Sequence, residues 1–380
     1  MAKTLNFSTH IDRKNSNCVK YGLLRQRFGK DDVLPLWVAD MDFSAPKGVV
    51  KALKKRASHP IYGYSIYPKS YFNAVKKHMK SYAFAVKTKE IIPVPSVVSA
   101  INIALQTFCK VGDGVIIQTP IYPPFLSSVK NNSLELLQNG LVKDKDFAID
   151  FEDFETKAKR AKAFIFCNPH NPCGRVFDKE TVKRIADICV RNDILIISDE
   201  VHADIVFENR VHTPIALFAP KHTITLNSPS KTYSLTGLSS AYAIIQSERL
   251  KRKFVLALTK LGFHGANPFS IEATVAALND THYKKRLLRY LQANLDYLTY
   301  ELQQIKKLDV IKPQGTFLLW IDCKKLGLND ARLKEYFVDK LGLALNSGID
   351  FGEEGSGYMR LNFATPRKNL KKAVKALKKI

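Results

Sequence analysis

Lys231 lies in the stretch SPSKTYSLTGLSS, where small and hydroxyl residues surround it instead of the further charge found beside most lysines of this chain. A lysine in a tight, partly desolvated turn loses basicity and can serve as an imine-forming amine, whereas a solvated surface lysine does neither. The residue alone allows both readings. Asp199 and Glu200 directly follow the apolar run ILIIS. A carboxylate at a buried strand end needs a partner, because bare burial is costly. That partner is either a cap or salt bridge within the protein, or a cationic ring nitrogen of a ligand. His202 either braces this carboxylate or is a satisfied structural histidine. Arg360 stands in GYMRLNFATPR among Met359, Leu361 and Phe363, and a charge there requires a carboxylate from the protein or from a ligand. Its planar fork suits an α-carboxylate.

Other polar groups cluster where apolar runs stop. TPIYPP follows the run ending at Thr119, NPHNPCG follows Cys167, SDEVH follows Ile197, and NSPSK follows Leu226. Open α/β sheets bind ligands beyond the carboxyl ends of their strands, so these stops point to one shared crevice. Asn168, Asn171, Pro169, Pro172 and Gly174 form a rigid polar turn whose amides face either a phenolate-like oxygen or the loop's own backbone. Ser96, Val97 and Val98 offer amides at a helix start, a setting suited to phosphate, and Ser228 and Ser230 add hydroxyl donors. Tyr122 stacks on a planar ring or packs in the core.

These residues need a scaffold. Residues 115–119, 133–138, 163–167, 194–198, 223–226 and 242–246 read as short strands, with another at 91–94. Between them, Val97, Ile101, Ala104 and Phe108, then Val182, Ile185, Ile188 and Cys189, recur at helical spacing. Strands alternating with helices predict a mostly parallel α/β sheet covered on both faces. Helices are also expected from Ala45, over 69–82, and over 270–307 with a joint at Asn279-Asp280. A smaller α+β domain should hold strands near 316–321 and 357–363 and helices at 330–341 and after Pro366. The expected division is a large domain over 46–280 and a small one from 1–45 and 281–380. Residues 1–45 look mostly irregular.

The chain has 380 residues, beyond the size at which one core usually stops growing, and an ordinary globular composition that excludes fibrous or largely disordered classes. Its net charge of +24 comes mainly from lysines spread over amphipathic segments, so no specific nucleic-acid surface is expected. Six cysteines without a CxxC pair argue against a disulfide scaffold. The polar start shows no secretory signal, and no apolar run is long enough to span a membrane, so the cytoplasm is the expected compartment. No metal site is expected.

The stretches PLWVADMDF, YGYS, VIIQTPIYPPF, FCNPHNPCGRVF, ISDEVHAD, NSPSKTYSLTGL and MRLNFATPR occur in this order across nearly the whole chain. Together they resemble fold-type I pyridoxal-phosphate enzymes of the aminotransferase class I/II superfamily, and within it the cystathionine β-lyase and C–S lyase branch. IDRK and WVADMDF favour that branch over ordinary transaminases. The resemblance implies pyridoxal 5′-phosphate as cofactor, Lys231 as its imine lysine, and Asp199 as partner of the pyridine nitrogen, with His202 nearby. It further implies that Asn171 donates to the ring oxygen and Tyr122 stacks on the ring. Val97, Val98, Ser228 and Ser230 would hold the phosphate, together with Tyr64 from the other subunit of a homodimer with composite sites. Arg360, Ala39 and Tyr62 would meet a sulfur-containing amino-acid substrate. Many relatives carry an arginine for the phosphate eight positions after the lysine, where this chain has Ser239. The expected activity is carbon–sulfur β-elimination. An aminotransferase and a regulatory binding protein that retains the fold are the alternatives.

Overall fold

The computed structural model describes residues 7–143, 146–207, 210–263 and 265–380. Seven strands form the main sheet: β1 (Ile91–Val94), β2 (Gly114–Ile117), β3 (Glu135–Gln138), β4 (Ala161–Cys167), β5 (Leu195–Asp199), β6 (Thr223–Asn227) and β7 (Ala241–Ile244). Their spatial order is β1-β7-β6-β5-β4-β2-β3. All neighbours are parallel except β7, which runs against both β1 and β6.

Alternation along the strands supplies two apolar faces. Ile117, Ile165 and Ile197 pack on one side with Ile101 and Leu105 of helix α3 (Val97–Phe108). Ile116, Phe164 and Ile196 pack on the other with Val182 and Ile185 of helix α4 (Lys179–Arg191). A sheet buried on both faces is why the strands read as continuous apolar runs. The helix starts are built by short polar caps: the Ser96 hydroxyl accepts from Ser99 N at 3.0 Å, and Asp178 accepts from Thr181 N at 2.8 Å.

Helices α1 (Lys47–Ala57) and α2 (Lys69–Lys80) pack on α5 (Pro268–Asn279). The expected joint is a break at Asp280, whose carboxylate caps the long α6 (Thr281–Leu302) by accepting from Tyr283 N. A second, antiparallel sheet follows, from β8 (Asp309–Ile311), β9 (Leu318–Asp322), β10 (Asn346–Ser347) and β11 (Tyr358–Asn362), in the order β8-β9-β11-β10. One apolar cluster joins Val75 of α2 and Ala273 of α5 through Leu291 and Leu295 of α6 to Leu319 and Leu361 of this sheet.

The N-terminal segment is more ordered than its sequence suggests. It forms two short helices, Val19–Gly22 and Leu24–Phe28, and Leu34–Pro35 pairs in parallel with Leu343–Ala344. The pairing partner lies some 300 residues away in the chain, so no local pattern announces it.

Candidate active site

Strands β4, β5 and β6 end at one level, with Cys167 opposite Asp199 and Asp199 opposite Leu226. The loops that leave them and the first turn of α3 enclose a cavity of about 200 Å³. The stops seen in the sequence therefore do converge.

Asp199, the last residue of β5, is buried on the cavity wall. Its carboxylate accepts from Val201 N at 3.0 Å and has no cationic hydrogen-bond partner among the described residues. Burial pushes its pKa up to about 6, against the lowering effects of the Val201 amide and of Lys231. Lys231 is on a short helix, Ser230–Tyr233, that follows β6. Its Nζ donates to the Ala39 carbonyl at 2.7 Å. Burial lowers its pKa to about 8, with Asp40 acting in the opposite direction. The surface-lysine reading is thereby excluded.

Val97 and Val98 present the first-turn amides of α3, which a helix leaves without internal acceptors. Ser228 and Ser230 stand opposite on the wall. Sequence reasoning missed Thr236 and Ser240, which line the same cavity, and Ser239, noted only as standing where relatives carry an arginine, lines it too. The signal was present in the hydroxyl-rich run after Lys231. Ser239 occupies the place of the arginine common among relatives, and it sits in the left-handed region at φ 50°. Helix-start amides together with several hydroxyls suit a phosphate.

Tyr122 and Asn171 also line the cavity. The Tyr122 ring meets Phe125 edge-on at 5.8 Å, and burial raises its pKa, so the phenol keeps its proton. Asn171 belongs to the turn after β4, closed by Gly174 at φ +69°. A Cβ on Gly174 would meet the Pro313 Cβ at 2.3 Å, so only glycine lets the turn approach that segment. His202 lines the cavity too, but no hydrogen bond joins it to Asp199. Its Nδ1 is buried without a partner, its ring meets Phe317 edge-on, and burial holds it well below the usual histidine range. Of the two readings open for His202, the hydrogen bonds among the described residues show neither a brace on Asp199 nor a satisfied Nδ1.

Arg360 on β11 is buried. Its guanidinium donates to Asn171 Oδ1 at 2.8 Å, Asn346 Oδ1 at 2.7 Å and the Trp37 carbonyl at 2.9 Å. Nε has no partner. All three acceptors are neutral, so of the two carboxylate sources open to Arg360, the hydrogen bonds among the described residues do not supply one. Burial lowers its pKa to about 10, which leaves it charged at neutral pH.

Tyr62, expected at the substrate, and Tyr64, expected at the other subunit's site, both stand outside this chain's cavity. Tyr62 donates its hydroxyl to the Ala57 carbonyl and stacks on Phe269, and Tyr64 is fully exposed. Neither lines this chain's own cavity, and the loop 59–68 is mostly exposed.

A family model described as aminotransferase class I and II matches residues 31–377. The chain belongs to that family. It is 35% identical to cystathionine beta-lyase PatB of Bacillus subtilis (strain 168), covering 98% of this chain and 99% of that one. Among solved structures, a pyridoxal-phosphate-bound protein of Clostridium difficile 630, described as an aminotransferase, superposes with a TM-score of 0.96 at 38% identity, covering 98% of this chain and 99% of that one. Cystalysin from Treponema denticola, which contains pyridoxal 5′-phosphate, superposes with a TM-score of 0.93 at 30% identity over 99% of both chains.

Proposed function

We propose that this family member is a pyridoxal-phosphate-dependent carbon–sulfur β-lyase, which cleaves cystathionine or a related cysteine S-conjugate to a thiol, pyruvate and ammonia. The observation that carries the reading is the placement of three groups on one cavity: a half-buried amine of lowered basicity, and, buried, a carboxylate without a cationic hydrogen-bond partner and a guanidinium hydrogen-bonded to neutral oxygens alone, both among the described residues. Each lacks what a cofactor-bound amino acid would bring.

The cavity fits the cofactor on its own chemistry. Asp199 suits a protonated ring nitrogen, and the Nδ2 of Asn171 is left to donate to a ring oxygen while its Oδ1 serves Arg360. Tyr122 offers a ring face. The Val97 and Val98 amides, with the hydroxyls of Ser228 and Ser230, would hold the phosphate. His202, held neutral, adds no competing charge beside Asp199. When bound, pyridoxal 5′-phosphate supplies an aldehyde for an amine and a ring that takes up the electron pair left at Cα.

The chain's own residues then account for the remaining work. Arg360 pairs its fork with the substrate α-carboxylate, and Ala39 lies beside that group. Lys231, near neutrality in its protonation balance, takes the Cα proton. The Cβ–S bond breaks with its electron pair on sulfur, and Lys231 or Tyr122 returns a proton to the departing thiolate. Tyr62 and Tyr64 would act across the interface of a homodimer. The exposure of Ile61, Tyr62, Tyr64 and Ile66 on one loop supports such an interface, since a lone chain would leave that apolar surface in water. A division into 46–280 and 1–45 with 281–380 is supported by the helix break at Asp280. Six free cysteines fit a reducing compartment such as the cytoplasm.

Incubating holoprotein with cystathionine tests the reading. Homocysteine, pyruvate and ammonia should appear in equal amounts, and absence of pyruvate and thiol with cofactor bound would sink it. The aminotransferase reading is favoured by the Clostridium difficile neighbour. It would prevail if an amino acid without a leaving group exchanged rapidly with a ketoacid.

A further inference from the structure

Residues 36–44 form a strap most of whose carbonyls are taken by groups from elsewhere. Leu36 O accepts from Asn362 N, Trp37 O from Arg360, Val38 O from Asn362 Nδ2, and Ala39 O from Lys231. Asp40 O accepts from both Lys20 and Asn362, Met41 O from Arg13, and Phe43 O from Ser234. The strap thus touches both the reacting amine and the carboxylate-binding guanidinium.

Four charges fix it. Arg13 bonds Asp40 at 2.6 Å and Asp42 at 2.8 Å, and Lys20, wholly buried, bonds the same two carboxylates at 2.9 Å. The Trp37 indole donates to the Lys20 carbonyl at 2.9 Å, which ties the first short helix to the strap. Two cations against two carboxylates leave the cluster balanced, and removing one member would leave the others buried and mismatched.

We propose that Arg13, Lys20, Asp40 and Asp42 are positioning residues for the reaction: together they hold the Ala39 carbonyl on Lys231 and the Trp37 carbonyl on Arg360, and the Arg13–Asp40 pair sets how much negative charge Lys231 feels. The proposal deepens the lyase reading and rests on it for Lys231 as the reacting amine. The charged and titratable groups facing Lys231 are Asp40 from the strap, Asp199 from β5, His202 beyond it and Arg360 from β11. Asp40 leads those that raise its basicity. Asp40 itself is pushed up by burial, yet Arg13 and Lys20 bring its pKa below the usual carboxylate range, so its charge persists at neutral pH.

The arrangement predicts opposite signs for the two halves of one ion pair. Asp40→Asn removes negative charge near Lys231, so its amine loses basicity. Arg13→Gln leaves Asp40 less neutralised, so the amine gains basicity. Full-length, cofactor-free protein should be titrated by pulse acylation of Lys231, read at the peptide level by mass spectrometry. At pH 7, Lys231 should become about fivefold more reactive in Asp40→Asn and several-fold less reactive in Arg13→Gln, while Arg13→Lys stays near the parent. Equal reactivity in all folded variants, or shifts of one sign in both, overturns the proposal. If Asp40→Asn does not fold, Arg13→Gln against Arg13→Lys decides it: no difference between them overturns it. The titration requires no turnover, so it stands apart from failure of the lyase assay.

Discussion

Asp199 and Asp204 are five positions apart and both buried, yet their surroundings drive them in opposite directions. Asp204 accepts from Tyr82 of the turn after α2 at 2.5 Å and from Lys284 of α6 at 2.8 Å, with His78 of α2 at 3.8 Å. Burial alone would raise it, but the charges of His78 and Lys284 and these hydrogen bonds bring its pKa down to about 2. Asp199 has one backbone amide and rises to about 6. A buried carboxylate that the fold satisfies is mortar between helices, and one that the fold leaves wanting is reserved for something that arrives later. Identical chemistry and similar burial do not separate the two; the partner list does.

The sharpest break of this contrast is to neutralise each in turn. Asp204→Asn should lose about 3–5 kcal/mol of stability, since Lys284 would then be left facing an uncharged partner. Its kcat/KM per folded molecule should stay within about threefold of the parent, as no atom of Asp204 lines the cavity. Chemical unfolding and kinetics on the soluble fraction check both halves. Asp199→Asn should reverse the pattern. Activity should fall by about 10²- to 10³-fold, in the range for removing one preorganised electrostatic group. The cofactor-free variant should be no less stable than its parent. A variant at position 199 that unfolds yet turns over normally would erase the distinction.

How far this distinction was legible beforehand depends on chain distance. The apolar runs of β4, β5 and β6 revealed both the strands and the polar stops beyond them, because period and turn chemistry are local. Ser96 as a cap and the break at Asn279-Asp280 were legible for the same reason. The reversed direction of β7 was not, since a four-residue apolar run carries no sense of direction. Nor was the Asp204 cluster, whose members come from positions 78, 82, 204 and 284. The grip of Arg13 and Lys20 on Asp40 and Asp42 was hidden likewise, although IDRK and WVADMDF had drawn notice. Tyr62 was placed at the site through resemblance, and within one chain its hydroxyl serves Ala57 instead. For His202 the sequence leaves a brace on Asp199 and a satisfied structural histidine equally open, since closeness in the chain does not give side-chain direction, and the ring meets Phe317 edge-on.

A smaller effect sharpens the contrast along the pH axis. Asp199 is raised on folding, so its favourable contribution is present below about pH 4 and is lost as pH climbs toward 6, worth roughly 3 kcal/mol in cofactor-free protein. Asp204 is lowered, so its contribution is present above about pH 4 and is lost as pH falls toward 2. The stability gap between parent and Asp199→Asn should therefore shift toward the variant between pH 4 and 7. The gap for Asp204→Asn should close below pH 4. Urea midpoints across that range measure both, and parallel curves would remove the electrostatic basis of the comparison.

The smallest expected effect concerns the opposite end of the same cavity, where no single group carries the anion. Ser228 Oγ lies 3.2 Å from Ser240 Oγ and accepts from Ser230 N at 3.1 Å. With Ser240 as the donor of that pair, the Ser228 hydrogen is free to turn toward a phosphate while its lone pairs stay engaged. Ser228→Ala removes one donor among several amides and hydroxyls, and a hydrogen bond to a charged acceptor contributes about 1.5–3 kcal/mol. Neighbouring hydroxyls at Ser239 and Ser240 can reorient to recover part of this, so cofactor affinity should weaken by about 3- to 30-fold, near the lower bound of that energy. Equilibrium dialysis of pyridoxal 5′-phosphate against the variant gives the number directly. A loss of several hundredfold would mean that Ser228 does the work of the arginine this chain lacks at position 239, and that the anion is gripped at one point rather than shared among these amides and hydroxyls.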